Sequence, residues 1–218
     1  MVASERHEDE REEMTEPGRS SLYSGPTVDR GHYGIMWAIK PEQGVSASVI
    51  AVEAQAFFGE DGSSCDASLY VADAEFVGTQ ASTLGWKANI TSGHSWRLVA
   101  NARLLASQPV RMECNVPVII GECKAFYLHT TEGGLFGGIG FSSNASAVTA
   151  ANDHIHVLVG TRTESASPFE SNREYKAGFA GKIEYEFTSS NIVQDDEAGG
   201  TGKDISKAEA SVDFSAFM

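Results

Sequence analysis

Apolar residues recur at every second position along most of this chain, and that spacing narrows the folds open to it more than any other feature. A period of two sends alternate side chains to opposite faces of an extended strand, whereas a helix needs apolar residues three and four apart. Tyr33, Ile35, Trp37 and Ile39 fall on one face and Gly34, Met36 and Ala38 on the other. Pro41, which has no backbone N–H to give to a ladder, ends the run. Between 48 and 58, Ile50, Val52, Ala54, Ala56 and Phe58 alternate with Glu53 and Gln55, and the turn from Gly59 to Gly62 closes the segment. The pattern returns around Leu69 and Val71, Trp86 and Ile90, Trp96 and Leu98, Val110 and Met112, Phe126 and Leu128, Val157, and Ile183 and Phe187. No stretch carries the spacing of a long amphipathic helix. Short alternating runs separated by turn residues predict an all-β chain, a single antiparallel two-sheet β-sandwich of jelly-roll or Greek-key type. Trp37, Val52, Leu69, Trp86, Phe126, Leu128, Val157, Ile183 and Tyr185 are its expected core.

The alternation stops at both ends, and composition decides there. Residues 1–31 hold eight acids and four Arg, too polar a mixture to repay the entropy of ordering, and read as a disordered acidic tail. Residues 192–218 hold six acids and two Lys around the Gly-rich 198–202 and read as a flexible linker and tail, leaving 32–191 as the domain. The formal charge of −14 divides into −4 from each end and −6 from the part between. That field repels phosphate backbones and anionic headgroups, so neither nucleic acid nor a membrane is an expected partner. The opening MVASERHEDEREEM is charged where a secretory leader is apolar, and no apolar run reaches the roughly 20 residues that cross a bilayer. A soluble, cytoplasmic protein is the expectation. Past the linker, Val212, Phe214, Ala216 and Met218 return at strand spacing beside Phe217. A purely solvating tail has no use for them, so Phe214, Phe217 and Met218 are expected to dock on a partner, on a second copy or on the chain's own sheet edge.

Chemistry-bearing motifs are sparse. His154 and His156, two apart on a strand, would point both imidazoles to one face, the geometry that jelly-roll metal sites use, and they are the candidate metal ligands. The expected downstream carboxylate and third His are missing from the sequence, which favours two polar-face histidines. Cys65, Cys114 and Cys123 have no metal or redox spacing and read as buried thiols. The segment 133–140 (GGLFGGIG) lacks the Gly-Lys-Ser/Thr ending of a phosphate loop and reads as a tight bend between strands. No cofactor is expected. Tyr33, Tyr127 and Phe136 are the aromatic candidates for ligand contact, in the manner of sandwich domains that stack rings on sugars.

Several segments, in order, resemble a family of largely uncharacterised β-sandwich domains of algal and protist proteins. They are 34–39 (GIMWAI), 67–71 (ASLYV), Trp86, 117–120 (PVII), 124–130 (KAFYLHT), 155–160 (IHVLVG), Pro168-Phe169 and 179–185 (FAGKIEY). The strand pattern and the Gly-rich bend are more distantly similar to the two-sheet PHR domains of ubiquitin-ligase and BTB proteins. The resemblance implies a binding or scaffold module and brings no catalytic residue with it. The expected function is therefore a non-catalytic module for protein interaction or self-association. A carbohydrate-binding module and a metal-dependent jelly-roll enzyme using His154 and His156 are the alternatives.

Overall fold

A computed structural model describes residues 17–24, 30–58, 63–72, 96–134, 137–143, 146–170 and 175–189. Among them no helix occurs, and every strand pair is antiparallel. In chain order the strands are β1 (Gly18–Ser24), β2 (Arg30–His32), β3 (Gly34–Pro41), β4 (Val45–Ala54), β5 (Ala56–Phe58), β6 (Ser64–Ala72), β7 (Trp96–Leu105) and β8 (Val110–Val118). There follow β9 (Lys124–Thr130), β10 (Gly137–Ser142), β11 (Val148–Ala151), β12 (Ile155–Thr163), β13 (Tyr175–Phe179) and β14 (Gly181–Ser189). A four-stranded sheet runs β1-β14-β4-β8. A ten-stranded sheet runs β2-β10-β13-β12-β3-β9-β6-β7, with β11 beside β12 and β5 beside β10.

One apolar cluster takes side chains from both sheets: Val49, Val52, Met112, Val116, Ile183 and Tyr185 from the smaller, Ile35, Trp37, Leu69, Phe126, Leu128 and Val157 from the larger. Trp37 lies at its centre, stacked on Phe179 at 4.2 Å and on Phe126 at 5.5 Å between ring centroids. The expected core residues are fully buried, except Trp86, which lies outside the described residues. β3 carries more than alternation requires. Met36 and Ala38, on the face opposite Trp37, are buried as well, in a second cluster with Ala72, Trp96, Ala125 and Tyr127. Buried on both sides, β3 reads as a nearly continuous apolar run.

The prediction for 48–58 needs one correction. Val45, Ala47 and Val49 face inward in the first half of β4, and Val52 and Ala54 in the second, while Ile50 is only half-buried and Ala51 lies opposite Glu184 and Glu113. The register against β8 slips between Val49 and Ala51, a bulge that shifts the inward phase by one residue. Val52 is inward as predicted and Ile50 is not.

A second correction moves the folded boundary. β1 lies inside the stretch assigned to the acidic tail, and Gly18 through Ser24 pair with Phe187 through Gly181 of β14. Its sequence, GRSSLYS, has one aliphatic side chain, Leu22. The ladder to β14 is a backbone interaction that composition does not register. Residues 190–218, including the linker and tail, lie outside the described residues.

The Gly-rich bend is a matter of close approach. Gly138 has φ +130°, and a Cβ there would sit 2.2 Å from the His32 carbonyl oxygen on the neighbouring β2. Outside the four-stranded sheet, charge runs across strands. Lys182 donates to Glu53 at 2.7 Å and to Glu184 at 2.6 Å, and Arg111 donates to Glu184 at 3.0 Å and to Glu113 at 2.7 Å. Hydrogen bonds from Lys182 and Arg111 hold the Glu184 carboxyl down to about 2.

Two outcomes follow. Trp37→Ala should cost on the order of 3–5 kcal/mol in chemical denaturation, as for other large buried aromatics. Trp37→Phe should cost clearly less, because the buried indole Nε1 has no hydrogen-bond partner to lose. Glu184→Gln should remove a stabilisation that is present above pH 4.5 and fades as pH falls toward 2. Because solvent screens that network, the loss at neutral pH should stay under about 1 kcal/mol.

Candidate functional site

Pleating sends Cys65, Ala67, Leu69 and Val71 of β6 into the shared core, so Asp66, Ser68 and Tyr70 point out of the ten-stranded sheet. Cross-strand pairing then sets these side chains in rows. Asp66 lies opposite Arg103, and the two form an ion pair at 3.3 Å. Ser68 stands between Asn101 of β7 and His129 of β9, and its hydroxyl donates to Asn101 Oδ1 at 2.8 Å. Tyr70 stands between Leu98 and Tyr127. Asp66, Ser68, Tyr70, Asn101, Arg103 and His129 form the floor of an open cleft of about 520 Å³, which Thr130, Thr131 and Pro168 complete.

Residues 164–170, between β12 and β13, form a strap along one side. His129 Nε2 lies 3.1 Å from the Ser165 carbonyl oxygen and donates to it in the neutral ring, leaving Nδ1 as an acceptor with no partner among the described residues. The Tyr127 hydroxyl meets Thr163 Oγ1 at 3.1 Å. Gly34 makes that reach possible, since a Cβ there would lie 2.8 Å from the Tyr127 ring and 2.7 Å from Thr163 Oγ1. Beyond the strap's Pro168, Phe169 packs its ring edge-on to Tyr70 and Tyr127, at 5.2 and 5.4 Å, and against Trp96 at 6.0 Å. Phe169 does so at φ +66°, a backbone state that costs a bulky residue about 1–3 kcal/mol and persists only where surrounding contacts enforce it.

Burial sets the protonation of these groups. It lowers the His129 pKa against an opposing pull from the Ser165 carbonyl, and it raises the Tyr127 hydroxyl. The thiols are driven away from reactivity: burial pushes Cys65 up to about 11 and Cys114 up to about 12, and Cys123 also upward.

The residues singled out from sequence are dispersed. Tyr127 is fully buried beneath the strap. Tyr33 occupies the bend between β2 and β3, its ring 5.5 Å from that of His32 and its carbonyl accepting from Thr130 N–H at 2.8 Å. Phe136, Phe214, Phe217 and Met218 lie outside the described residues. His154 precedes β12 in a bend capped by Asn152 Oδ1, stacks on Phe187 at 3.6 Å and sets Nδ1 3.2 Å from the Tyr185 hydroxyl. His156, on the strand itself, pairs with Glu42. The two imidazoles thus have separate partners. Among the described residues no three His, Cys, Asp or Glu side chains are grouped to hold a metal ion.

Sequence reasoning missed the cleft itself, because Asp66, Asn101, Arg103 and His129 meet only through pairing across three strands. The available signal was the polar half of each alternation. No family model matches the chain, and no curated protein matches its sequence.

His129 gives this region a pH signature. The unfolded chain takes up a proton near 6.5 that buried His129 resists, so stability should fall as pH drops below that value, at no more than about 1.4 kcal/mol per pH unit for this group. His129→Gln, which retains a donor for Ser165, should flatten that part of the profile in urea titrations between pH 7 and 5.

Proposed function

We propose that the chain is a non-catalytic binding or assembly module, built as a single antiparallel two-sheet β-sandwich with Greek-key connections, and that its cleft receives a polar segment of a protein partner. The observation that carries this reading is where the cleft lies: on β6, β7 and β9, β7 being the last strand of the ten-stranded order among the described residues. A partner segment laid along β7 would gain backbone hydrogen bonds at a sheet edge and rest alternate side chains among Asp66, Asn101 and Arg103. The shared core cluster supports the sandwich. The resemblance of several strands to a family of largely uncharacterised β-sandwich domains, which implies a binding or scaffold module, points the same way. The upward-shifted thiols support a role without thiolate chemistry, since the thiolate is the reactive form. Among the described residues no helix is long and apolar enough to cross a membrane.

One observation favours a second reading. The Tyr70 ring stands beside a carboxylate, an amide and a guanidinium in one open cleft, the mixture of flat ring and planar polar groups that suits a sugar.

Peptide and glycan arrays probed with the full chain, and then with the Tyr70→Ala, Arg103→Ala double variant, separate the two. The expected result is peptide binding that the double variant weakens at least about tenfold, the size of one lost hot-spot contact. A glycan signal that depends on Tyr70 would transfer the site to carbohydrate recognition. Peptide binding indifferent to both substitutions would take the cleft out of the function.

A further inference from the structure

Across the middle of the cleft floor, Asn101, Ser68 and His129 stand side by side on three strands, and two of them turn hydrogen-bond acceptors toward a ligand. His129 supplies the first. The residue is only 3% exposed, and Nε2 must carry a proton because its partner at 3.1 Å, the Ser165 carbonyl oxygen, can only accept. In the neutral ring Nδ1 therefore holds a lone pair. That atom has no hydrogen-bond partner among the described residues, and it is not one of the buried polar atoms closed off from solvent, so it opens onto the cleft. The Ser165 contact and the Tyr127 ring, edge-on at 5.4 Å, hold the imidazole in this orientation. Burial also favours the neutral form. Ser68 supplies the second acceptor. Its proton is committed to Asn101 Oδ1 at 2.8 Å, which leaves the oxygen's lone pairs for the cleft. Residues opposite each other on one face of an antiparallel pair have Cβ atoms about 4.5–5.5 Å apart, so one small group can reach both.

Taking the cleft as the peptide-binding site proposed above, we propose that His129 Nδ1 and Ser68 Oγ together select a lysine in the partner segment, whose ammonium donates one N–H to each. Three features favour that group over other donors. Local charge is the first: Glu132 Oε2 accepts the Asp66 backbone N–H at 3.1 Å, so the carboxylates of Asp66 and Glu132 outweigh the guanidinium of Arg103. An incoming cation restores the balance. Geometry is the second. A hydroxyl has one proton for two acceptors, and the planar fork of arginine matches the two oxygens of one carboxylate, whereas these acceptors belong to residues on neighbouring strands. An ammonium carries three N–H groups on a compact head at the end of a flexible stem. The third is Tyr70, two residues along β6 from Ser68 on the same face, whose ring lines the cleft and attracts a cation.

The test is an array of short peptides capped at both ends, so that a lysine side chain is the only amine present, probed with the full chain. Each lysine peptide is printed beside versions with Nε-acetyl-lysine, norleucine and arginine at that position. Lysine should be preferred at least about tenfold over acetyl-lysine and norleucine, the size of one hydrogen bond to a charged group, and should also exceed arginine. Ser68→Ala combined with Asn101→Ala removes the hydroxyl without uncovering the amide oxygen, and should weaken lysine-peptide binding by at least about tenfold. On the unaltered protein, the ¹⁵N resonance of the unprotonated His129 Nδ1 should move upfield when the lysine peptide is added, as it does on accepting a hydrogen bond. Peptide binding that is lost with Tyr70→Ala and Arg103→Ala, yet equal for lysine and acetyl-lysine, overturns the lysine site and leaves the cleft a peptide receptor. A preference for arginine, or an Nδ1 resonance that stays in place, overturns it likewise. No peptide binding, or binding indifferent to the Tyr70 and Arg103 substitutions, overturns the lysine site and the peptide-binding reading together.

Discussion

Cover on both faces of β3 is the constraint on which the rest of this structure depends. One face carries Trp37, clamped between Phe126 and Phe179, and joins the two sheets through a common apolar cluster. The other carries Met36 and Ala38, which water would reach if nothing lay over them. The chain covers them with Tyr127, Trp96 and the strap bearing Phe169. The strap, the strained Phe169 and the His129–Ser165 contact follow from that second cover. The cleft is what remains where the cover stops, at Pro168 on one side and the Asp66–Arg103 row on the other. Core and candidate site are thus two sides of one strand.

What the sequence disclosed depended on whether the interaction was local. Alternation placed Trp37, Leu69, Phe126, Leu128, Val157 and Ile183 inside because the pleat operates residue by residue. It failed at Ile50, where a bulge against β8 changes the phase and no residue type announces it. It missed β1 because a ladder can form on a segment with a single aliphatic side chain when a long, well-packed strand such as β14 offers its edge. For Tyr127, opposite Met36 in the pairing of β9 with β3, period two could say that it lies on a face, and not that this face would itself be covered.

The candidate sites were less legible for the same reason. His154 and His156 satisfied a strand rule, yet His154 sits in the Asn152-capped bend before the strand, so the rule did not apply to it. The cleft draws on β6, β7 and β9, segments far apart along the chain. Chemistry assembled by sheet pairing leaves no spacing signature in sequence. What is visible beforehand is a set of isolated polar residues on strands, among them Asp66, Arg103, His129 and Arg162.

The pairing of β1 with β14 has a topological consequence. Because Gly18 lies opposite Phe187 and Ser24 opposite Gly181, the first and last described strands are neighbours, and the described fold begins and ends at the same place. A unit with adjacent ends can be spliced into a surface loop of a host protein without prising that loop apart, and its ends can be joined and new ones opened elsewhere with little change in shape. The described strands thus form a cassette with adjacent ends, and the cleft is carried along wherever the cassette is set.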